Sequence, residues 1–164
     1  MKFLLAQINP VVGDLEGNAK KILCIASKAN STSADLVLTP ELSLWGYPAN
    51  DLLLKNNLIK NQYQILDQLA LVINKKYGNL GITVGIAEII NDSFFPNLYN
   101  SIALLERGEW KIIARKIILP TYEVFDEKRY FRSEEKVSVL IKKLKIKPGE
   151  LVLLYVRIYG STKI

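Results

Sequence analysis

The sequence predicts an α/β fold, a mixed sheet with helices on one face. Three observations carry that expectation. Over the first half of the chain, apolar runs of strand length alternate with helix-spaced stretches, in the order β-α-β-α-β. Two more strand-like runs follow with no helix between them and turn at Arg107-Gly108, so the alternation gives way to a meander. The 164 residues, 49% hydrophobic and 23% charged, suit one domain with a substantial core.

Each element has its local reason. Lys2 to Ile8 reads as a buried strand, because Phe3, Leu4, Leu5, Ala6 and Ile8 form an apolar run ahead of Asn9-Pro10. Asn18 to Ala29 reads as a helix with Ile22, Ile25, Ala26 and Ala29 on one face. Leu36-Val37-Leu38 is a short strand that Pro40 stops. Pro40, Gly46, Pro48, Asn50 and Asp51 then mark a loop. Leu58 to Ile73 carries Ile65, Leu66, Leu69, Val72 and Ile73 at helical spacing, and Gly78 closes it. Ile82 to Ile90 returns to strand, and Ser101–Leu105 with Trp110–Ala114 forms the hairpin. No internal repeat, low-complexity tract or linker interrupts the order.

Composition narrows the function. With no histidine, Ser-His-Asp catalysis and His-ligated zinc are excluded. One cysteine makes no internal disulfide, CxxC pair or Cys-rich metal site. The N-terminus lacks a basic lead and a small-residue cleavage site, and no stretch reaches the roughly 18 apolar residues of a membrane span. A cytoplasmic protein without membrane contact is expected. Most of the net charge of +6 comes from the last fifth of the chain, notably Lys142, Lys143, Lys145 and Lys147. No recognisable nucleic-acid motif accompanies it, so no nucleic-acid partner is expected.

Two charged residues stand where predicted strands end at their carboxyl side, the place where ligands gather in open α/β sheets. Glu41 follows Leu36-Val37-Leu38, and Lys116 follows the Trp110–Arg115 strand. A carboxylate and an ammonium brought together there could move a proton and stabilise an oxyanion. Residue type and position alone leave open that both are solvated surface groups.

The surrounding motifs are more specific. Thr39-Pro40-Glu41-Leu42-Ser43-Leu44-Trp45-Gly46-Tyr47-Pro48 resembles the catalytic-glutamate segment of the nitrilase, or carbon-nitrogen hydrolase, superfamily. Lys116-Ile117-Ile118-Leu119-Pro120-Thr121-Tyr122-Glu123-Val124-Phe125-Asp126-Glu127-Lys128-Arg129-Tyr130-Phe131 resembles its catalytic-lysine segment. The latter, with Gln7-Ile8-Asn9-Pro10-Val11-Val12-Gly13-Asp14, is most similar to one branch, the glutaminase domain of glutamine-dependent NAD+ synthetases. The resemblance implies an αββα sandwich, here incomplete, and a Cys-Glu-Lys triad that hydrolyses L-glutamine through a thioester. By matching positions it makes Glu41 the general base and acid and Lys116 the oxyanion stabiliser. Tyr122 matches a contact to glutamine, and Glu127 a carboxylate that supports the lysine. Residue type alone reads Tyr122 as a packed aromatic and Glu127 as a surface acid. A free-standing amidase or nitrilase, and a non-catalytic binding protein, are the alternative readings.

The triad's cysteine should follow the lysine segment, in a pattern like Gly-x-Thr-Ile-Cys-Glu-Asp-Leu-Trp. The single cysteine, Cys24, instead precedes both motifs within the first predicted helix, where a lone Cys is usually a small buried hydrophobe. The tail suggests why. Permitted codons for Gly149 to Gly160, read two bases later, spell Arg-Ile-Gly-Ile-Thr-Ile-Cys-Glu-Asp-Leu-Trp, with the Cys codon straddling Tyr155 and Val156. Residues 1–140 are thus expected to be the N-terminal part of the hydrolase domain and 141–164 a frameshifted tail. The expected product is a truncated, inactive fragment with exposed apolar area and poor solubility. No cofactor is expected. ATP, Mg and deamido-NAD+ would belong to a missing synthetase domain, and homo-oligomerisation to the full-length protein.

Overall fold

A computed structural model describes residues 2–134. The tail expected at 141–164 and the domain boundary expected at 140 lie outside the described residues.

Five strands form one sheet in chain order: β1 (Phe3–Leu5), β2 (Leu36–Leu38), β3 (Gly81–Ile89), β4 (Leu98–Glu106) and β5 (Glu109–Arg115). β1, β2 and β3 are parallel, with Leu4 opposite Val37 and Val37 opposite Ile82. β3–β4 and β4–β5 are antiparallel, so the sheet is mixed as predicted. Parallel neighbours need a crossover, and the helices α1 (Leu15–Ser31) and α2 (Asn56–Tyr77) provide both. α1 packs on β2, α2 packs on β3, β4 and β5, and the helices pack on each other.

The helix ends follow their caps. α1 begins at Leu15, ahead of the predicted Asn18, because Asp14 Oδ1 accepts the Gly17 N–H at 2.9 Å. Its buried stripe includes Ile22, Ala26 and Ala29. Cys24 falls between the stripe positions and is exposed, which corrects the buried hydrophobe expected there. α2 buries Ile59, Leu66, Leu69 and Ile73 and stops at Gly78, whose φ of 60° suits a residue without Cβ.

One pleat face of the sheet makes the core. Val37, Ile82 and Leu105 lie opposite one another in register and are wholly buried. β1 differs from its expectation as a buried strand, since Phe3 is 40% and Leu5 72% exposed. β1 is the edge strand, and Phe3 and Leu5 pair with Leu36 and Leu38 on the face away from Val37 and the helices.

Candidate active site

Glu41 rides on a loop held by buried polar groups. β2 pairs only with the first residues of β3, and beyond it the loop takes its place beside the strand. Leu44 N–H donates to the Gly85 carbonyl at 3.1 Å, and Gly85 N–H donates to Ser43 Oγ at 2.9 Å. Ser43 and Thr39 hydroxyls lie 2.7 Å apart, and Thr39 Oγ1 lies 2.7 Å from the Thr83 carbonyl. Because a carbonyl only accepts, Thr39 donates to Thr83 and Ser43 donates to Thr39. From the helices, Asn18 Nδ2 donates to the Leu44 carbonyl at 3.0 Å, and Gln62 Oε1 accepts the Trp45 indole N–H at 2.7 Å. The chain turns at Gly46, with φ of 76° and a Cα that faces the Val12 backbone so closely that an added Cβ would lie 2.8 Å from it.

Lys116 leaves β5 as its backbone N–H donates to the Asn100 carbonyl at 2.8 Å. The chain then loops out and returns. Glu127 N–H donates to the Pro120 carbonyl at 3.1 Å, and Arg132 N–H donates to the Leu98 carbonyl at 2.7 Å. A short 3-10 turn, Glu127–Arg129, lies between these anchors. Behind Lys116, the Arg115 guanidinium donates to Glu88 at 2.7 Å and Glu134 at 2.6 Å and lies 4.7 Å from the Tyr99 ring centre. These bonds, that to Glu88 foremost, hold the guanidinium even more firmly charged than usual, against the opposing effect of burial. They tie the returning segment to β3 and β5.

The two segments meet at Lys116. Its Nζ lies 2.7 Å from Glu41 Oε1 and 2.8 Å from Glu127 Oε1. Glu127 Oε1 also accepts the Tyr47 hydroxyl at 2.7 Å, while its Oε2 is buried with no partner among the described residues. Asn100 Nδ2 donates to Glu41 Oε1 at 2.6 Å. Burial by itself pushes the Lys116 ammonium down, but its hydrogen bonds to Glu127 and then Glu41 outweigh that and hold it above the usual lysine value. Burial, and then the bond to Glu127, push the Tyr47 phenol far up, so it stays a donor. A fixed ammonium beside a half-exposed carboxylate can move a proton and stabilise developing negative charge.

Of the four residues singled out in the sequence, three come together here. Glu127 is not the surface acid that residue type suggested, being 5% exposed. Tyr122 is 63% exposed, its ring edge-on to Phe125 at 5.4 Å, and Phe125 in turn lies 6.2 Å from Tyr47. Tyr122 therefore stands at the rim. Tyr47 and Asn100 were missed. Tyr47 sits inside a quoted motif, where residue type assigned it no role. Asn100 fell outside the predicted strand, which began at Ser101, although a polar residue entering an apolar strand is itself a signal. Among the described residues no group of three or more potential ligands could hold a metal, and no helix is long and apolar enough to cross a membrane.

Comparison with known proteins gives consistent matches. The family model for carbon-nitrogen hydrolases matches residues 5–154. A glutamine-dependent NAD(+) synthetase of Synechocystis sp. is 40% identical over 142 residues, covering 85% of this chain and 25% of that protein. One from Thermotoga maritima is 39% identical over 140 residues, covering 85% and 23%. The chain thus spans about a quarter of the length of the curated relatives it matches. Among solved structures, the glutamine-dependent NAD+ synthetase from Acinetobacter baumannii in complex with ADP superimposes with a TM-score of 0.70 at 36% identity, over 81% of this chain and 24% of that one. An amidase from Nesterenkonia sp. shares the fold, with a TM-score of 0.64 at 22% identity over 82% of this chain and 48% of that one.

Proposed function

The chain belongs to the carbon-nitrogen hydrolase family, and from that premise we propose that residues 1–140 are the N-terminal part of a glutamine-hydrolysing domain that supplies ammonia for NAD+ synthesis. One observation carries the reading: a single ammonium shared by two carboxylates, with Lys116 Nζ 2.7 Å from Glu41 and 2.8 Å from Glu127. In this reading a thiol attacks the glutamine carboxamide, Glu41 takes the thiol proton and later protonates the departing ammonia, and Lys116 stabilises the tetrahedral oxyanion. Glu127 supports the lysine, and Tyr122 contacts the substrate from the rim.

No cysteine follows the lysine segment within these 164 residues, and the one cysteine, Cys24, is exposed on α1. These 164 residues by themselves, without that thiol, are expected to release no ammonia from L-glutamine. The family model's match runs on to residue 154, and within the tail 141–164 we read a shift out of the family's frame that puts the nucleophile codon across those of Tyr155 and Val156. A synthetase domain that uses ATP, Mg and deamido-NAD+, assembly into a homo-oligomer and a cytoplasmic setting belong to the same reading of the whole protein.

The site is tested by competitive acetylation of Lys116, scored by mass spectrometry against Lys75 of the same chain. L-glutamine should protect Lys116 and not Lys75, and Tyr122→Ala should weaken the protection. Equal labelling with and without L-glutamine at tens of millimolar would sink the reading. The frame is tested by sequencing the DNA across the codons for residues 140–160. A frame that nowhere encodes the cysteine segment removes that part of the proposal, as would ammonia release by the purified chain that Cys24→Ala abolishes.

A further inference from the structure

We infer that Asn100 positions Glu41, so that Oε2 and not Oε1 is the oxygen that takes and returns the proton. The inference rests on the reading of Glu41 and Lys116 just given. Asn100 lies on β4 and is 5% exposed. It holds both charged residues at once. Its side-chain Nδ2 donates to Glu41 Oε1 at 2.6 Å, and its backbone carbonyl accepts the Lys116 N–H at 2.8 Å. Lys116 Nζ donates to the same Oε1 at 2.7 Å. Both hydrogen bonds that Glu41 accepts among the described residues therefore fall on one oxygen. An oxygen with two N–H donors has its lone pairs engaged, and the other is left for a proton. The amide's orientation follows from its partner, since an ionised carboxylate only accepts and the NH2 group must face it.

The need for such a residue follows from Glu41's setting. Its side chain is 43% exposed, on a loop rather than in the sheet. An ion pair this exposed contributes little by itself, because two long side chains lose rotamer freedom to form it. Asn100 is buried in a strand and spends little entropy in staying put. It turns a loose pair into a fixed triangle of Glu41 Oε1, Lys116 and the β4 backbone. Asn100 does not touch the reacting atoms and acts through Glu41.

A double-variant cycle tests this in the full chain without glutamine, so its outcome is independent of whether glutamine binds. The readout is the pH profile of Lys116 acetylation, in Asn100→Ala, Glu41→Gln and the two combined. Each single variant should move the profile to lower pH and raise labelling at a fixed pH below the transition about twofold to fivefold, the range of a partly exposed pair. The combined variant should match Glu41→Gln alone, because Asn100 then has nothing left to position. Asn100→Ser keeps a buried polar group too short to reach Glu41, and it should behave as Asn100→Ala does. An unchanged profile in a cooperatively folding Asn100→Ala or Asn100→Ser chain overturns the inference. So does an Asn100→Ala effect that persists in full beside Glu41→Gln, which would assign Asn100 to the backbone of Lys116 alone.

Discussion

Replacing Gln62 by leucine asks whether buried polar groups, rather than the loop's own sequence, hold Glu41 in place. Gln62 is wholly buried on α2. Its Oε1 accepts the Trp45 indole N–H at 2.7 Å and the Ala87 N–H at 3.1 Å, while its Nε2 donates to the Ala87 carbonyl. Leucine nearly matches the volume but leaves three buried groups unpaired. At about 1–3 kcal/mol each, the gross cost is about 3–9 kcal/mol. The apolar side chain and local relaxation return about 1–2 kcal/mol of that, leaving about 1–8 kcal/mol. A domain is stable by only about 5–15 kcal/mol, so a mid-range loss of about 4 kcal/mol should lower the urea midpoint by about a quarter or more. Fluorescence of Trp45 and Trp110 at low micromolar concentration reports the transition. Trp45→Phe has no N–H to orphan, so combining it with Gln62→Leu should cost about 1–2 kcal/mol less than the sum of the two singles. A Gln62→Leu loss below about 1 kcal/mol at unchanged m-value would refute the reasoning, as would strict additivity with Trp45→Phe.

Three further outcomes are expected. Lys116 is held above its usual value of 10.5, so its pairing stabilises the fold fully below that value and stops doing so as pH climbs through the higher native one. The stability gap between the native chain and Lys116→Met, from urea midpoints, should be flat near neutrality and shrink at alkaline pH; a gap that opens instead reverses the assignment. Gly85 faces the Glu41 loop so closely that an added Cβ would lie 2.3 Å from Leu42 N. Gly85→Ala should therefore cost about 2 kcal/mol or more and shift the Lys116 labelling profile, and a stable variant with an unmoved profile contradicts the packing described. Leu5, 72% exposed beside Phe3, should drive self-association at tens of micromolar that Leu5→Lys reduces, as sedimentation would show. A native chain that stays monomeric there overturns the expectation.

Local signals made most of the fold legible. Helical spacing marked α2, Pro40 marked the end of β2, and Arg107-Gly108 marked the hairpin, because each depends on neighbours in sequence. The start of α1 is masked in the sequence because its capping Asp14 is followed by Gly17, a poor helix former. The exposure of β1 is not legible for a different reason: a run such as Phe3-Leu4-Leu5 states what a strand prefers, not how many layers cover it. At the site, motif likeness points to Glu41, Lys116, Tyr122 and Glu127. Residue type alone puts Glu127 at the surface, and the one signal Asn100 carries, a polar residue entering an apolar strand, does not name its partner.

The order of strands and helices, the single exposed-helix cysteine's place before both motifs and the identity of the two opposed charges were all written in the linear chain. Those features depend on residue type and on spacings of a few positions. Which atoms meet was decided only by tertiary packing. Lys116 reaches Glu41 across 75 positions and Glu127 across 11, and Asn100 joins Glu41 across 59. Hydrogen bonds act over about 3 Å, so their partners are chosen by strand register and loop closure, which no local pattern encodes.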